Sequence, residues 1–201
     1  MLSLMPEQMT ERDNYKFLIG SIIPRPVAFV TTLSETGTLN AAPFSYFNVV
    51  TANPPLISVS VQRVNGVPKD TARNAMAQKA FVVHVCDETN VEAINQTSAT
   101  LPASESEVEF AHLTPVDSLK IPVPGVMEAK IRMECTLETV VQLGGTPPSC
   151  DLLIGRVVAY HIDDALYNNG RIDPVKLQPI ARLAGNDYAR LGDIFTLARP
   201  K

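Results

Sequence analysis

The sequence has no cluster of lysine and arginine residues anywhere along its 201 positions, and its formal net charge is −4. Because a nucleic-acid partner requires a basic face that neutralises phosphates, this composition argues against nucleic-acid binding. No stretch reaches the roughly 18 apolar residues that a membrane-spanning helix needs. Residues 1–14 also lack a basic segment followed by a long apolar run. We therefore expect a cytoplasmic protein without a membrane or nucleic-acid partner.

Cysteine and histidine are few and scattered, which argues against a metal site. The cysteines are odd in number and have neither metal-ligand nor CxxC spacing: Cys86, Cys135 and Cys150. This usage is typical of free thiols in a reducing compartment. His84 and His161 alternate with apolar neighbours in candidate strands, so we interpret both as hydrogen-bonded structural side chains. The Walker, G-x-G-x-x-G, G-x-S-x-G and H-E-x-x-H motifs are absent as well.

Short β-branched and aromatic runs dominate the chain, and 16 prolines punctuate it. Residues 127–143 alternate with the period of a half-buried strand, which puts Cys135 on the apolar face and Glu134 on the polar face. Further segments are predicted from local patterns: strands at 27–33, 39–42, 44–51, 56–62, 81–85 and 151–162, and helices at 71–79 and 91–98. No β-helix-β periodicity appears. We therefore predict one mainly β domain over 1–201, an antiparallel barrel with helices outside it, after an irregular lead-in at 1–14 in which residues 10–13 fit a first helical turn.

Four shorter segments carry local signals. Residues 34–38 have hairpin-turn composition, with Gly37 available for positive φ. Pro43 lacks a backbone donor, so we expect strand pairing to be interrupted there. The apolar segment 15–22 fits either a short helix or a strand. Residues 100–124 are acidic and proline-punctuated, and fit either a surface loop with one short helix or a lid.

The segment between the candidate strands 27–33 and 56–62 is small, hydroxylated and aromatic, with almost no charge. Its candidate site residues are Asn40, Ala42, Pro43, Ser45, Tyr46, Phe47 and Asn48. A flat, amphipathic ligand would suit these side chains, although a strand with core aromatics and hydrogen-bonded polar residues also explains them. Arg25 stands between two prolines, which hold it extended at the entrance of the strand at 27–33.

Lys69, Asp70 and Thr71 open the candidate helix at 71–79, with Asp70 or Thr71 as its predicted N-cap. A helix N-terminus offers free N–H groups and the positive end of the helix dipole. Lys69 adds a full charge and Thr71 adds a hydroxyl, so a phosphate is the candidate guest. An ordinary capped helix beside a surface lysine is the alternative. Together with the aromatic segment, these residues form what a mononucleotide-like cofactor requires.

The combined motifs resemble the flavin reductase-like family of FMN-binding split barrels. The resemblance rests on residues 24–32, 40–48, 54–55, 69–71 and 177–188, and extends from about residue 15 to residue 200. It implies a six-stranded antiparallel split barrel and a homodimer with FMN at or near its interface. The 40–48 segment would line the isoalloxazine, Lys69, Asp70 and Thr71 would hold the ribityl phosphate, and Arg25 and Tyr188 would lie near the cofactor.

This resemblance implies an FMN-dependent oxidoreductase. We expect an NAD(P)H:flavin reductase that passes hydride from nicotinamide to flavin and delivers reduced flavin to a partner monooxygenase. Because hydride transfer belongs to the cofactor, we predict no catalytic side chain. Two alternatives stay open: a flavoredoxin-like electron-transfer flavoprotein with a protein donor, and a protein that binds FMN or another ligand without turnover.

Overall fold

A seven-stranded antiparallel sheet forms the centre of the computed structural model, which describes residues 1–200. Its strands, β1 to β7 in chain order, are Ala28–Leu33, Leu39–Phe44, Phe47–Ala52, Pro55–Gln62, Ala80–Val85, Ile131–Leu143 and Cys150–Ile162. Their spatial order is β2-β1-β5-β6-β7-β4-β3. The chain thus passes from one edge strand, β2, to the other, β3, through Ser45 and Tyr46 alone. This short link keeps the two edge strands close together. We call the line along which β2 and β3 meet, at Ser45 and Tyr46, the seam.

Helices and short strand pairs surround this sheet. The helices α1 to α5 are Glu11–Ser21, Asp70–Gln78, Val91–Gln96, Glu107–Phe110 and Pro174–Leu177, and 3-10 turns occur at Pro6–Gln8 and Asp164–Leu166. The two-residue strands are Arg25–Pro26 with Ala181–Arg182 and Tyr188–Ala189, Pro115–Val116 with Gly125–Val126, and Tyr167–Asn168 with Arg171–Ile172. No helix within residues 1–200 has the length and apolarity to cross a membrane.

Apolar side chains fill both faces of the sheet. The barrel interior contains Val30, Val59, Phe81 and Leu153, which are completely buried, and α2 closes it with Ala72 and Ala75. A second cluster packs the outer face of the sheet against α3 and α4 through Phe29, Ile94 and Val108. Burying one such large side chain contributes about 1.5–3 kcal/mol to folding. These two clusters fix the strands on which the seam is built.

The predicted mainly β, antiparallel architecture with peripheral helices is confirmed. The count of six strands that the resemblance implies is not confirmed, because the sheet has seven strands, with β2 and β3 at its opposite edges. The turn between β1 and β2 forms as predicted, with Gly37 at φ +88°. The single-domain organisation stays a prediction.

Pro43 does not interrupt its strand, contrary to the prediction. It lies within β2 in register with Phe29. Because β2 is an edge strand, its outer side needs no ladder hydrogen bond, and a proline is tolerated there.

The segment 15–22, for which helix and strand were both open, belongs to α1 up to Ser21, and Ile22 is the C-cap of that helix. That helix begins at Glu11, within the helical turn predicted at 10–13, because Thr10 caps it by accepting from the Asp13 N–H at 3.1 Å.

The alternation predicted for residues 127–143 is wrong at Glu134, which is fully buried. The backbone N–H groups of Leu119 and Lys120 each donate to its carboxylate at 2.7 Å, and His161 Nε2 lies 2.6 Å from it. Burial raises the pKa of Glu134, but the hydrogen bonds from Leu119, His161 and Lys120 outweigh burial and lower it overall. Glu134 therefore anchors a loop to the sheet instead of facing solvent.

Candidate functional site

Two adjoining cavities lie beside the seam. The first, of about 260 Å³, we call the seam cavity; its lining includes Arg25, Ser45, Tyr46, Lys69, Arg182 and Tyr188. The second, of about 560 Å³, we call the helix cavity; its lining includes Asn40, Ala42, Lys69, Asp70, Thr71 and Glu107. Both cavities are bounded by Pro43, Phe44, Lys69 and Ser98. A ligand longer than either cavity can therefore extend from one into the other past Lys69.

Arg25 holds three walls of the seam cavity together. Its guanidinium is buried and donates to the carbonyl oxygen of Ile19 in α1 at 2.7 Å, to that of Ile22, and to that of Leu183 at 2.8 Å. Its Nε lies 3.4 Å from Ser45 Oγ. No carboxylate within residues 1–200 forms an ion pair with Arg25. A buried cation with only neutral partners favours a nearby anion.

The charges of the seam cavity have a single sign. Arg25, Lys69 and Arg182 line it, and no carboxylate does. The guanidinium carbon of Arg182 lies 4.5 Å from the ring centroid of Tyr188, a cation–π contact. Burial raises the pKa of Tyr46, so its hydroxyl stays neutral near pH 7. Positive charge beside neutral aromatic rings suits a flat, anionic ligand.

The N-terminus of α2 lines the helix cavity and has no side-chain cap. Its N-cap is Lys69, not Asp70 or Thr71 as predicted, and no side chain accepts from the first-turn N–H groups. The predicted caps are engaged elsewhere, because Asp70 pairs with Arg73 and the Thr71 hydroxyl donates to Asn40 Oδ1 at 3.1 Å. The free N–H groups and the helix dipole therefore remain available to an anion.

A buried polar chain forms the floor of the helix cavity. Asn40 Nδ2 donates to Glu107 Oε2 at 2.9 Å, and the Ala41 N–H donates to the same oxygen at 3.0 Å. On its other side, Asn40 Oδ1 accepts from Thr71 and, at 3.2 Å, from Thr32. Both heteroatoms of the Asn40 amide thus have protein partners. Asn40 therefore orients Thr71 and Glu107 within the cavity wall.

Residues 19–176 match the family described as the flavin reductase like domain. The chain belongs to this family. Nitrilotriacetate monooxygenase component B from Bacillus cereus is 61% identical, with a TM-score of 0.97 over 98% of each chain. The 2-nitrobenzoate 2-nitroreductase NbaA from Pseudomonas fluorescens is 30% identical, with a TM-score of 0.90 over 99% of this chain and 96% of that one. A Shewanella frigidimarina protein described as a flavin reductase with a split barrel domain has a TM-score of 0.86 at 22% identity, over 100% of each chain.

Family membership confirms the resemblance inferred from the sequence, and the last of these structures confirms the split-barrel fold. Flavin is the cofactor class of this family. Two of these solved structures, at 61% and 30% identity, are described as a monooxygenase component and a nitroreductase, both names of redox proteins.

The cavities bring together most of the residues predicted to bind the cofactor. Arg25, Pro43, Ser45, Tyr46, Lys69 and Tyr188 line the seam cavity, and Asn40, Ala42, Asp70 and Thr71 line the helix cavity. Phe47 and Asn48 line neither. Phe47 packs against the barrel interior, and Asn48 is exposed, with its Oδ1 accepting from the Val49 N–H at 2.8 Å. Cofactor contact by these residues stays a prediction.

Two charged residues that line the cavities were not selected from the sequence. Arg182 lies within the family-like motif at 177–188, where Tyr188 alone was selected, so a signal for it existed. Glu107 lies in the acidic segment interpreted as a surface loop or lid. Its partner Asn40 is 67 positions away, and no local pattern marks such a contact.

Proposed function

We propose that this chain is an FMN-dependent oxidoreductase that takes hydride from NAD(P)H. The observation that carries the proposal is the seam cavity, which three cationic side chains and no carboxylate line. FMN combines a flat ring with a phosphate, and its reduced ring carries negative charge. Both anionic parts need donors and positive charge, which Arg25, Lys69, Arg182 and the uncapped α2 N-terminus supply.

Lys69 and the first turn of α2 would hold the phosphate, and the segment from Asn40 to Tyr46 would line the isoalloxazine. Arg25 would act from behind this surface, because its N–H groups are largely committed to protein carbonyls. When bound, the flavin supplies hydride acceptance and release. The side chains around it bind, orient and exclude water, and none is required to transfer a proton.

Delivery of reduced flavin to a partner monooxygenase, in the cytoplasm, is part of this proposal. The Bacillus cereus relative at 61% identity is component B of a monooxygenase, which supports a role as the flavin-supplying component. Buried Cys86 and Cys135 and part-exposed Cys150 are all free thiols, which fits a reducing compartment.

We also propose a homodimer. Apolar side chains of α1 and β3 are open to solvent in the single chain: Phe17 is 58% exposed, Leu18 50% and Val49 70%. A second copy would cover them. Sedimentation velocity at micromolar concentration should show a dimer, and a monomer that retains FMN would contradict the proposal.

Anaerobic reduction of the FMN-loaded protein tests the activity. Bleaching of flavin absorbance, at roughly 450 nm, should follow mixing with NADH or NADPH and should be much faster than for free FMN, the matched control. Reduction by a reduced ferredoxin alone would instead favour the electron-transfer alternative. If no donor reduces the bound flavin, the proposed activity is wrong and binding without turnover is favoured.

A further inference from the structure

The hydrogen bonds beneath the helix cavity run in one donor-to-acceptor direction, from Thr71 through Asn40 to Glu107. The negative charge of Glu107 sets this direction. An ionised carboxylate only accepts hydrogen bonds, so the Asn40 amide must turn its Nδ2 toward Glu107 and its Oδ1 toward Thr71. The Thr71 hydroxyl must then donate to Asn40. In this state Thr71 can offer the cavity only the lone pairs of its oxygen.

Protonation of Glu107 reverses the part of the chain that runs from Glu107 through Asn40 to Thr71. The acid O–H then donates to Asn40 Oδ1, the amide turns by about half a rotation, and the two N–H groups of Asn40 Nδ2 face the hydroxyl oxygens of Thr71 and Thr32. The hydroxyl oxygen of the acid still accepts from the Ala41 N–H, so that contact survives. The Thr71 proton is released from Asn40 and becomes available to a ligand.

The surroundings of Glu107 favour such a change. Burial raises the pKa of Glu107, the backbone hydrogen bond from Ala41 opposes this, and the charge of nearby Asp70 adds to it. From α2, Asp70 faces Glu107 while paired with Arg73, and Lys69 lines the same cavity. The cavity-lining residues of β2 and of residues 97–101 carry no ionisable side chain.

We propose that Glu107 is a positioning residue that couples uptake of a proton to binding of a phosphate at the α2 N-terminus. A phosphate accepts hydrogen bonds only, so it needs Thr71 as a donor, and it gains further when a carboxylate in the same cavity loses its charge. This inference rests on the proposed function, which places the FMN phosphate there. Phosphate binding then raises the pKa of Glu107, and the affinity for FMN falls as pH rises through that pKa.

Titrations between pH 5 and 8 with FMN and with riboflavin test this coupling. The variant is Glu107→Gln, which keeps an oxygen acceptor for Ala41 and Asn40 but cannot ionise. The matched control is Glu109→Gln, which removes an exposed acid from the same helix. The phosphate's own ionisation, near pH 6, contributes to all three proteins and cancels in their ratio.

As pH rises, the ratio of the FMN affinity of wild type to that of Glu107→Gln should fall by up to about tenfold per pH unit. The FMN affinity of Glu109→Gln should change with pH as that of wild type does. Riboflavin should show no such difference. Superimposable FMN profiles for wild type and Glu107→Gln would overturn this inference alone. Absence of FMN binding at every pH would overturn the proposed function together with it.

Calorimetry on wild type and Thr71→Val keeps the inference testable if Glu107→Gln does not fold. Binding enthalpies measured in two buffers of different ionisation enthalpy give the number of protons exchanged. FMN should bind wild type with more net proton uptake than it binds Thr71→Val, in which the phosphate ionises equally but the link to Glu107 is broken, and riboflavin should bind both with none. Equal proton exchange by the two proteins on FMN binding would contradict the coupling.

Discussion

The barrel interior and the seam share strands but differ in what their side chains face. Val30, Phe81 and Leu153 are surrounded by other apolar groups and are wholly buried. Arg25 and Lys69 instead carry charges with no carboxylate partner. The interior contributes stability through packing. The seam instead presents the positive charges of Arg25 and Lys69, which an anionic ligand can neutralise. Substitutions in the barrel wall should therefore act on stability, and substitutions of Lys69 and Thr71 beside the seam should act chiefly on affinity.

The largest effect on the barrel side should come from His84, which is completely buried in β5. The Val126 N–H donates to its Nε2 at 3.0 Å, so Nδ1 carries the proton that is donated to Phe29 O at 2.9 Å. This hydrogen bonding matches the structural role predicted for His84. Burial lowers the pKa of His84 from 6.5 to about 4.

Between those two pH values the unfolded chain binds a proton that the folded chain excludes. The contribution of neutral His84 to the free energy of unfolding is therefore fully present above pH 6.5 and falls with decreasing pH, by about 3 kcal/mol at pH 4. Urea unfolding at several pH values measures this, with His84→Gln as the comparison. Equal pH slopes for both proteins would show that His84 titrates normally in the folded state.

Gly155 should give the next largest effect. A Cβ at this position of β7 would overlap the ring of Phe81 inside the barrel. We expect Gly155→Ala to lower the free energy of unfolding by about 2 kcal/mol through overpacking. Affinity for FMN should stay unchanged.

Gly192→Ala is the matched control for Gly155→Ala, because nothing lies within 4 Å of the added Cβ there. Adding Phe81→Leu to Gly155→Ala should restore part of the lost stability, since the smaller side chain relieves the overlap. A wild-type unfolding curve for Gly155→Ala would refute the packing argument.

The same contrast explains what the sequence could predict. Local alternation and turn chemistry located most strands and the Gly37 turn, because those signals act between neighbours in the chain. Pro43 was misjudged because its tolerance depends on β2 being an edge strand, a property of the whole sheet. Glu134 and Glu107 were misjudged because their partners lie far away in the sequence. Long-range polar contacts leave no local pattern.

A small effect is expected at the seam from Thr71→Val. The change removes one neutral hydroxyl and keeps the shape, so FMN affinity should fall by about 1 kcal/mol, or about fivefold. Riboflavin affinity and thermal stability should change little, and Thr71→Ser should bind FMN like wild type. Equal losses for FMN and riboflavin would show that Thr71 acts on the fold or on the ring instead.

The central claim is that Lys69 and the α2 N-terminus bind the FMN phosphate, and paired titrations of Lys69→Ala with FMN and riboflavin test it most directly. Removing a charge-assisted contact costs about 1.5–3 kcal/mol, which corresponds to a roughly 10- to 150-fold loss of FMN affinity. Riboflavin lacks the phosphate, so it should bind wild type and Lys69→Ala with similar affinity. Equal losses for the two ligands would contradict the assignment.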